Sequence, residues 1–128
     1  MLARMLAVVA VAGGGALGAV ARYQLSLWIY GRWPGAFPTG TLVVNIVGCL
    51  ALGVLSGMLD AREMASPLVR LFAGVGILGA FTTFSTFELE TVHALERGDT
   101  AVALGYVTAS VLVGFVALWL GLRLGRLV

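Results

Sequence analysis

Asn45 is a polar side chain inside an uncharged run from Trp33 to Leu59, with Thr41 four residues before it and Gly48 three after. At helical spacing the three fall on one face and form a polar and small stripe. Polar side chains are costly in lipid, so those that occur usually turn toward another helix or a water-filled path. An asparagine there has two uses. Its amide can clamp one helix to the next, or it can line a pore and donate N–H groups to an anion. The residue alone does not choose.

The stretch from Gly74 to Phe87 adds three glycines, Gly74, Gly76 and Gly79, followed by Thr82, Thr83, Phe84, Ser85, Thr86 and Phe87. Glycine weakens a helix and hydroxyls compete for its backbone, so this text predicts a break in mid-membrane. Such a break is tolerated only where it is buried in protein or lines a cavity. Carbonyls freed there, at the negative end of a half-helix, suit a small hard cation such as Na⁺. The bland alternative is a kinked helix whose hydroxyls bond back to their own turn. Phe81, Phe84 and Phe87 recur every three residues as one slowly drifting stripe. Such stripes usually just pack, but the positive edge of a phenylalanine ring can also face an anion. Ring edges, an amide N–H and hydroxyls can together replace an anion's water without a fixed charge to trap it, which is what conduction requires.

Tyr106, Ser110 and Gly114 lie at intervals of four and place donors along one face, although Tyr106 reads equally as a residue of the aromatic belt. Glu88, Glu90, His93 and Glu96 cluster before Arg97 and read as the solvated end of a span; Glu90, three residues after Phe87, could instead flank a pore mouth. Among a single His, a single Cys and few carboxylates there is no nucleophile-base arrangement, phosphate loop or metal-ligand spacing, and the chain is not expected to be an enzyme.

The elements that must position these groups follow from composition. Of 128 residues, 60% are hydrophobic and 11% charged, with 18 glycines and no lysine; soluble domains carry roughly 25% charged residues. A water-soluble surface cannot be covered by so few polar groups, and a net charge of +2 with Cys49 unpaired disfavours nucleic-acid binding or a disulfide scaffold. The chain reads as an all-α integral membrane protein of one domain. Since a hydrocarbon core of about 30 Å needs about 20 helical residues, the uncharged runs give four spans, roughly 5–30, 39–59, 68–96 broken near 76–83, and 100–122. Arg4 and Ala19-Val20-Ala21 give the first run some features of a signal peptide, but Gly13, Gly14, Gly15 and Gly18 are poor material for one.

An even number of spans puts both termini on one side. Arg4, Arg62, Arg70, Arg123 and Arg126 then face Arg22, Arg32 and Arg97, a weak positive-inside bias that permits either orientation. Four short helices enclose little space, so a path forms more easily between subunits, and opposite insertion would give an antiparallel dimer. Small-xxx-small pairs at Gly14 and Gly18, Gly53 and Gly57, and Gly121 and Gly125 bring backbones close, either between subunits or within one. Asp60, Arg62 and Glu63 mark a short loop.

Three ordered motifs resemble the Fluc (CrcB) family of fluoride channels: Gly14-Gly15-Ala16-Leu17-Gly18-Ala19-Val20-Ala21-Arg22-Tyr23, Gly40-Thr41-Leu42-Val43-Val44-Asn45-Ile46-Val47-Gly48, and Thr82-Thr83-Phe84-Ser85-Thr86-Phe87. The resemblance covers nearly the whole chain. It implies a dual-topology antiparallel homodimer in the cell inner (plasma) membrane, with two pores that passively export fluoride and no nucleic-acid partner. It further implies that Asn45, Phe84 and Phe87 line the pore, that Thr41, Glu90, Tyr106 and Ser110 form a polar track, and that Arg22 shapes a vestibule. A structural Na⁺ at the two-fold axis would be held by the Gly79 and Thr82 carbonyls of both subunits. Ala80 and Gly114 depart from the residues common in such chains, a glycine and a hydroxyl. A proton-coupled small multidrug transporter is the runner-up, but it needs a carboxylate deep in the membrane, which the first span lacks. A non-transporting assembly subunit, with Asn45 as helix glue, is the third reading.

Overall fold

The computed structural model describes residues 1–61 and 66–127, so Arg62 and Glu63 of the expected loop, and the share of Arg62 in the arginine count, lie outside the described residues. Helix α1 (Leu2–Arg32) and helix α2 (Thr39–Ala61) are joined by a turn containing Pro34 and Pro38. The third stretch begins with α3 (Pro67–Val69), whose first turn is capped by Ser66. It continues through a π-helical segment (Arg70–Leu78) and α4 (Gly79–Phe81), and after two extended residues it resumes as α5 (Phe84–Glu96). Helix α6 (Thr100–Gly125) closes the chain. Four stretches, Leu2–Arg32, Thr39–Ala61, Pro67–Glu96 and Thr100–Gly125, are long and apolar enough to cross a membrane.

Helix α5 stops at Gly98, whose φ of +81° allows the Gly98 N–H to reach the Leu95 carbonyl and the Asp99 N–H to reach that of Ala94. This left-handed stop is the glycine C-cap that turns the chain back into α6. Large apolar side chains such as Val9, Leu112 and Phe115 point outward, as they must where lipid rather than water is the solvent. Inside, Val44 and Tyr106 are fully enclosed and most other buried positions are small.

The glycine pairs are packed within the chain. Gly53 and Gly57 of α2 meet Gly121 and Gly125 of α6, and a methyl group on any of the four would overlap a backbone carbonyl of the opposite helix. Gly14 and Gly18 of α1 lie against the backbone of the π segment, where a methyl would overlap the Phe72 and Ile77 carbonyls respectively. The spacing that could have served two subunits is therefore used between helices of one. Close approach of this kind lets van der Waals contact replace the hydrophobic drive that lipid does not supply. Gly121→Val is expected to destabilise the folded chain by about 1–3 kcal/mol or more, because the overlap is with backbone that cannot move aside. Gly15→Val, with open space around it, should leave the melting temperature in detergent unchanged within error.

The glycines of the third stretch do not interrupt it. Gly74, Gly76 and Gly79 remain helical, and Gly76 is the surface on which Gly14 rests. The regular backbone is instead interrupted at Thr82 (φ −84°, ψ 158°) and Thr83 (φ −149°, ψ 120°). Phe81 therefore lies in a different helix from Phe84 and Phe87, and the three do not form one stripe.

Candidate functional site

The interruption has an accountable set of hydrogen bonds, as buried backbone polar groups require. Asn45 on α2 meets it with both ends of its amide: Nδ2 donates to the Thr83 carbonyl at 2.9 Å, and Oδ1 accepts the Thr83 N–H at 2.8 Å. Thr83 also caps α5, its Oγ1 accepting from the Thr86 N–H at 3.3 Å, the standard arrangement for the first turn of a helix. On the other side, the Thr82 hydroxyl donates to the Leu78 carbonyl at 3.1 Å, and Arg22 Nε of α1 donates to the Ala80 carbonyl at 3.1 Å. Asn45 thus acts as the clamp that one reading of the sequence held out. An asparagine amide carries two N–H bonds, and only one is used on Thr83, so the second leaves the pore-lining reading intact.

Two carbonyls are left by this arrangement without their usual helical donors. The N–H four residues after Gly79 belongs to Thr83 and is taken by Asn45, while the Thr82 carbonyl lies in extended backbone just before the cap of α5. Gly79 is exposed on the surface of the chain. Carbonyl oxygens in such a position are the hard donors a Na⁺ ion takes, and the preceding helical segment points its negative end the same way. The donor set present therefore fits the cation implied by the resemblance.

Beside the interruption lies an open cleft of about 280 Å³, lined by Asn45, Cys49, Thr82, Thr83, Phe84, Phe87 and Ser110 among others. The N-terminus of α5 opens on it at Thr83 and Phe84, so the positive end of that helix adds to its potential. Phe87 is buried against Tyr106 at 5.0 Å between ring centroids and lies 5.7 Å from Phe84; the Phe84 ring is 73% exposed. The Ser110 hydroxyl oxygen is buried and has no hydrogen-bond partner among the described residues. A buried donor left unpaired is uncommon and calls for an explanation.

Glu90 is not at a solvated end. Glu88, His93 and Glu96 are exposed as expected, but the Glu90 carboxylate turns inward and gathers three hydroxyls from three helices. Tyr30 of α1 donates to Oε1 at 2.8 Å, Thr41 of α2 to the same oxygen at 2.9 Å, and Tyr106 of α6 to Oε2 at 2.7 Å. Tyr106 is completely enclosed, so it is a residue of the bundle interior and not of the aromatic belt. Arg22 lines a separate cavity of about 250 Å³ with Thr41, Thr83, Thr86 and Glu90.

The structure thus brings Asn45, Phe84, Phe87 and Ser110 to one cleft, Thr41, Glu90 and Tyr106 to one hydrogen-bonded cluster, and Arg22 to a cavity bordering that cluster. Tyr30 escaped the sequence reading because, at the end of the first span, it looks like any interfacial aromatic. Its partner in the cluster is 60 residues away, and no local pattern points there.

Comparison with known proteins finds relatives over nearly the whole chain. Residues 9–122 match the family described as CrcB-like protein, Camphor Resistance (CrcB). A relative from Acidobacterium capsulatum, named fluoride-specific ion channel FluC, is 46% identical over 91% of this chain and 93% of its own. Relatives of the same name from Pseudomonas fluorescens and Chloroflexus aurantiacus are 48% and 42% identical, each over more than nine-tenths of both chains.

Proposed function

The chain belongs to the CrcB-like family, and from that premise we propose that it is a fluoride-selective channel, a multi-pass membrane protein without enzymatic activity that lets fluoride leave the cell passively. The observation that carries the reading is the cleft at Thr83: an amide with a spare N–H, a buried unpaired serine hydroxyl, the positive end of a half-helix and two phenylalanine rings, with no cationic side chain among its lining residues. Fluoride is small and tightly hydrated. A site that offers several neutral donors replaces water without holding the ion, whereas a fixed arginine would trap it.

In this reading Asn45, Phe84 and Phe87 line the path, the phenylalanines by their ring edges. Thr41, Tyr106, Ser110 and Glu90 form a polar track beside it, and Arg22 draws anions into the adjoining cavity. The cleft is open, and the Phe84 ring at its lining is exposed in the single chain, as is Gly79, which supports closure by a second copy. An antiparallel homodimer in the inner membrane would complete two such pores, in keeping with the weak arginine bias. Gly79 and Thr82 carbonyls from both copies would hold a Na⁺ ion, which would tie the two interrupted stretches together electrostatically.

A proton-coupled multidrug transporter needs a carboxylate available to a cation or proton. Both Glu90 oxygens are already taken by hydroxyl donors, so nothing favours that reading.

Two experiments bear on these proposals. Purified protein in liposomes loaded with the potassium salts of fluoride and chloride, with a potassium ionophore present so that charge can follow, should release fluoride and retain chloride; equal release of both, or of neither, would overturn the selective-channel reading. Exchanging all Na⁺ for a bulky organic cation, long enough for a tightly held ion to leave, should lower the fluoride flux, and an unchanged flux would remove Gly79 and Thr82 as a cation site.

A further inference from the structure

We infer that Tyr30 is a positioning residue for permeation: it holds the Glu90 carboxylate while the Thr41 hydroxyl turns from Glu90 to the passing anion. The inference rests on the fluoride-channel reading above and goes further in naming how the polar track is freed to act. A hydroxyl has one proton. In the structure the protons of Thr41 and Tyr106 are given to Glu90, so neither is available to an anion, and their remaining lone pairs repel one. For the track to receive fluoride, one of these donors must let go.

The two carboxylate oxygens are not equally served. Oε2 accepts from Tyr106 alone among the described residues, whereas Oε1 accepts from both Tyr30 and Thr41, whose hydroxyl oxygens lie 3.3 Å apart. Release of Tyr106 strips Oε2 of the one donor it has among the described residues, and a half-buried carboxylate oxygen left without a donor is costly. Release of Thr41 leaves Oε1 still bonded to Tyr30. Thr41 is therefore the donor that can move, and Tyr30 is what makes the movement cheap.

The surroundings fix Tyr30 for this task. Its ring lies on the backbone of Gly40, one residue before Thr41, so closely that a methyl group at Gly40 would stand 2.5 Å from Cε2 and 2.7 Å from Cζ. Tyr30 and Glu90 also border two cavities, one reaching His93 and Arg97 and the other Arg22 and Thr41. The hydrogen-bonded pair thus stands where an anion would pass from one arginine to the other.

The test is a double-mutant cycle on fluoride flux from liposomes, with gel filtration of each variant to confirm a folded protein. Tyr30→Phe keeps the ring and removes the hydroxyl, and should lower the flux roughly tenfold, the worth of one hydrogen bond to a charged group. Thr41→Val should lower it at least as much. The double variant should be no slower than Thr41→Val alone, because Tyr30 has no task once Thr41 cannot donate. Gly40→Ala, which pushes the ring aside without touching either hydroxyl, should reproduce Tyr30→Phe and serves in its place if that variant does not fold. Tyr30→Phe at wild-type flux, or losses that multiply in the double variant as an independent packing role would make them, would overturn the inference. A wild-type protein that passes no fluoride would overturn the channel reading itself and this inference with it.

Discussion

Asn45→Leu is expected to lower fluoride flux at least a hundredfold. Leucine has nearly the shape of asparagine but neither donates nor accepts, so the Thr83 N–H and carbonyl both lose their partner at once. Each buried group left unpaired costs about 1–3 kcal/mol. The interruption then has no reason to hold its extended backbone, and the neighbouring helices gain by recovering their own ladder. Since every 1.4 kcal/mol is a factor of ten, losing both bonds together with the spare N–H amounts to two orders of magnitude or more. Asn45→Asp separates the parts. It keeps an acceptor for the Thr83 N–H, removes the donor and places a negative charge in the cleft, so it should block the anion with a smaller loss of melting temperature than leucine. Initial efflux rates from liposomes, alongside thermal unfolding in detergent, check both statements. Normal flux through the leucine variant would mean that the ion does not pass this cleft.

The second large effect is expected from the phenylalanines. Phe84→Ile combined with Phe87→Ile should reduce flux by roughly five- to a hundredfold, each ring contributing about two- to tenfold if its edge is worth to the anion what it is worth in an aromatic pair, about 0.5–1.5 kcal/mol. Isoleucine is comparably apolar but has no ring quadrupole, so the substitution removes the electrostatic role and keeps most of the contact. The two positions differ in their stability cost. Phe87 is packed against Tyr106 and its loss should be felt in unfolding, while Phe84 is 73% exposed in the single chain and should cost little. Phe115→Ile provides the comparison. That ring is 70% exposed on α6 and absent from the cleft lining, so its flux should stay within about twofold of wild type. Similar losses at all three sites would show that the rings only pack.

These effects locate what was legible in the sequence. The spans were, because roughly 20 apolar residues between charges admit one reading in lipid. So was the need of Asn45 for a partner, since an amide in an uncharged run must find one, and its amide is bonded at both ends. Which partner it finds was not legible: Thr83 lies 38 residues away, and no local period connects the two. The break was expected near 76–83 from glycines and hydroxyls together, and the two groups prove to have different tasks. Gly76 is used for close approach to Gly14 and its segment stays helical. The backbone departs from helix at Thr82 and Thr83, within those bounds, where Asn45 and the Thr83 side chain offer other hydrogen bonds. The small-residue pairs were ambiguous in the same way, because a surface that brings backbones together looks alike within a chain and between chains. Glu90 by its own sequence surroundings read as a solvated end or a pore mouth, and only the family resemblance put it beside Thr41 and Tyr106. Its sequence neighbours Glu88, His93 and Glu96 are exposed, and only the hydroxyls of α1, α2 and α6 explain why it turns inward.

The claim on which the rest depends is that fluoride crosses as a bare ion, down its gradient, with no proton exchanged for it. The direct measurement is fluoride efflux from potassium fluoride-loaded liposomes at equal pH on both sides, before and after addition of a potassium ionophore. Movement of a bare anion builds a voltage that stops it, so efflux should be nearly absent at first and should start abruptly when potassium is allowed to follow. Efflux that proceeds at full rate without the ionophore, and falls when an opposing pH gradient is imposed, would contradict the account.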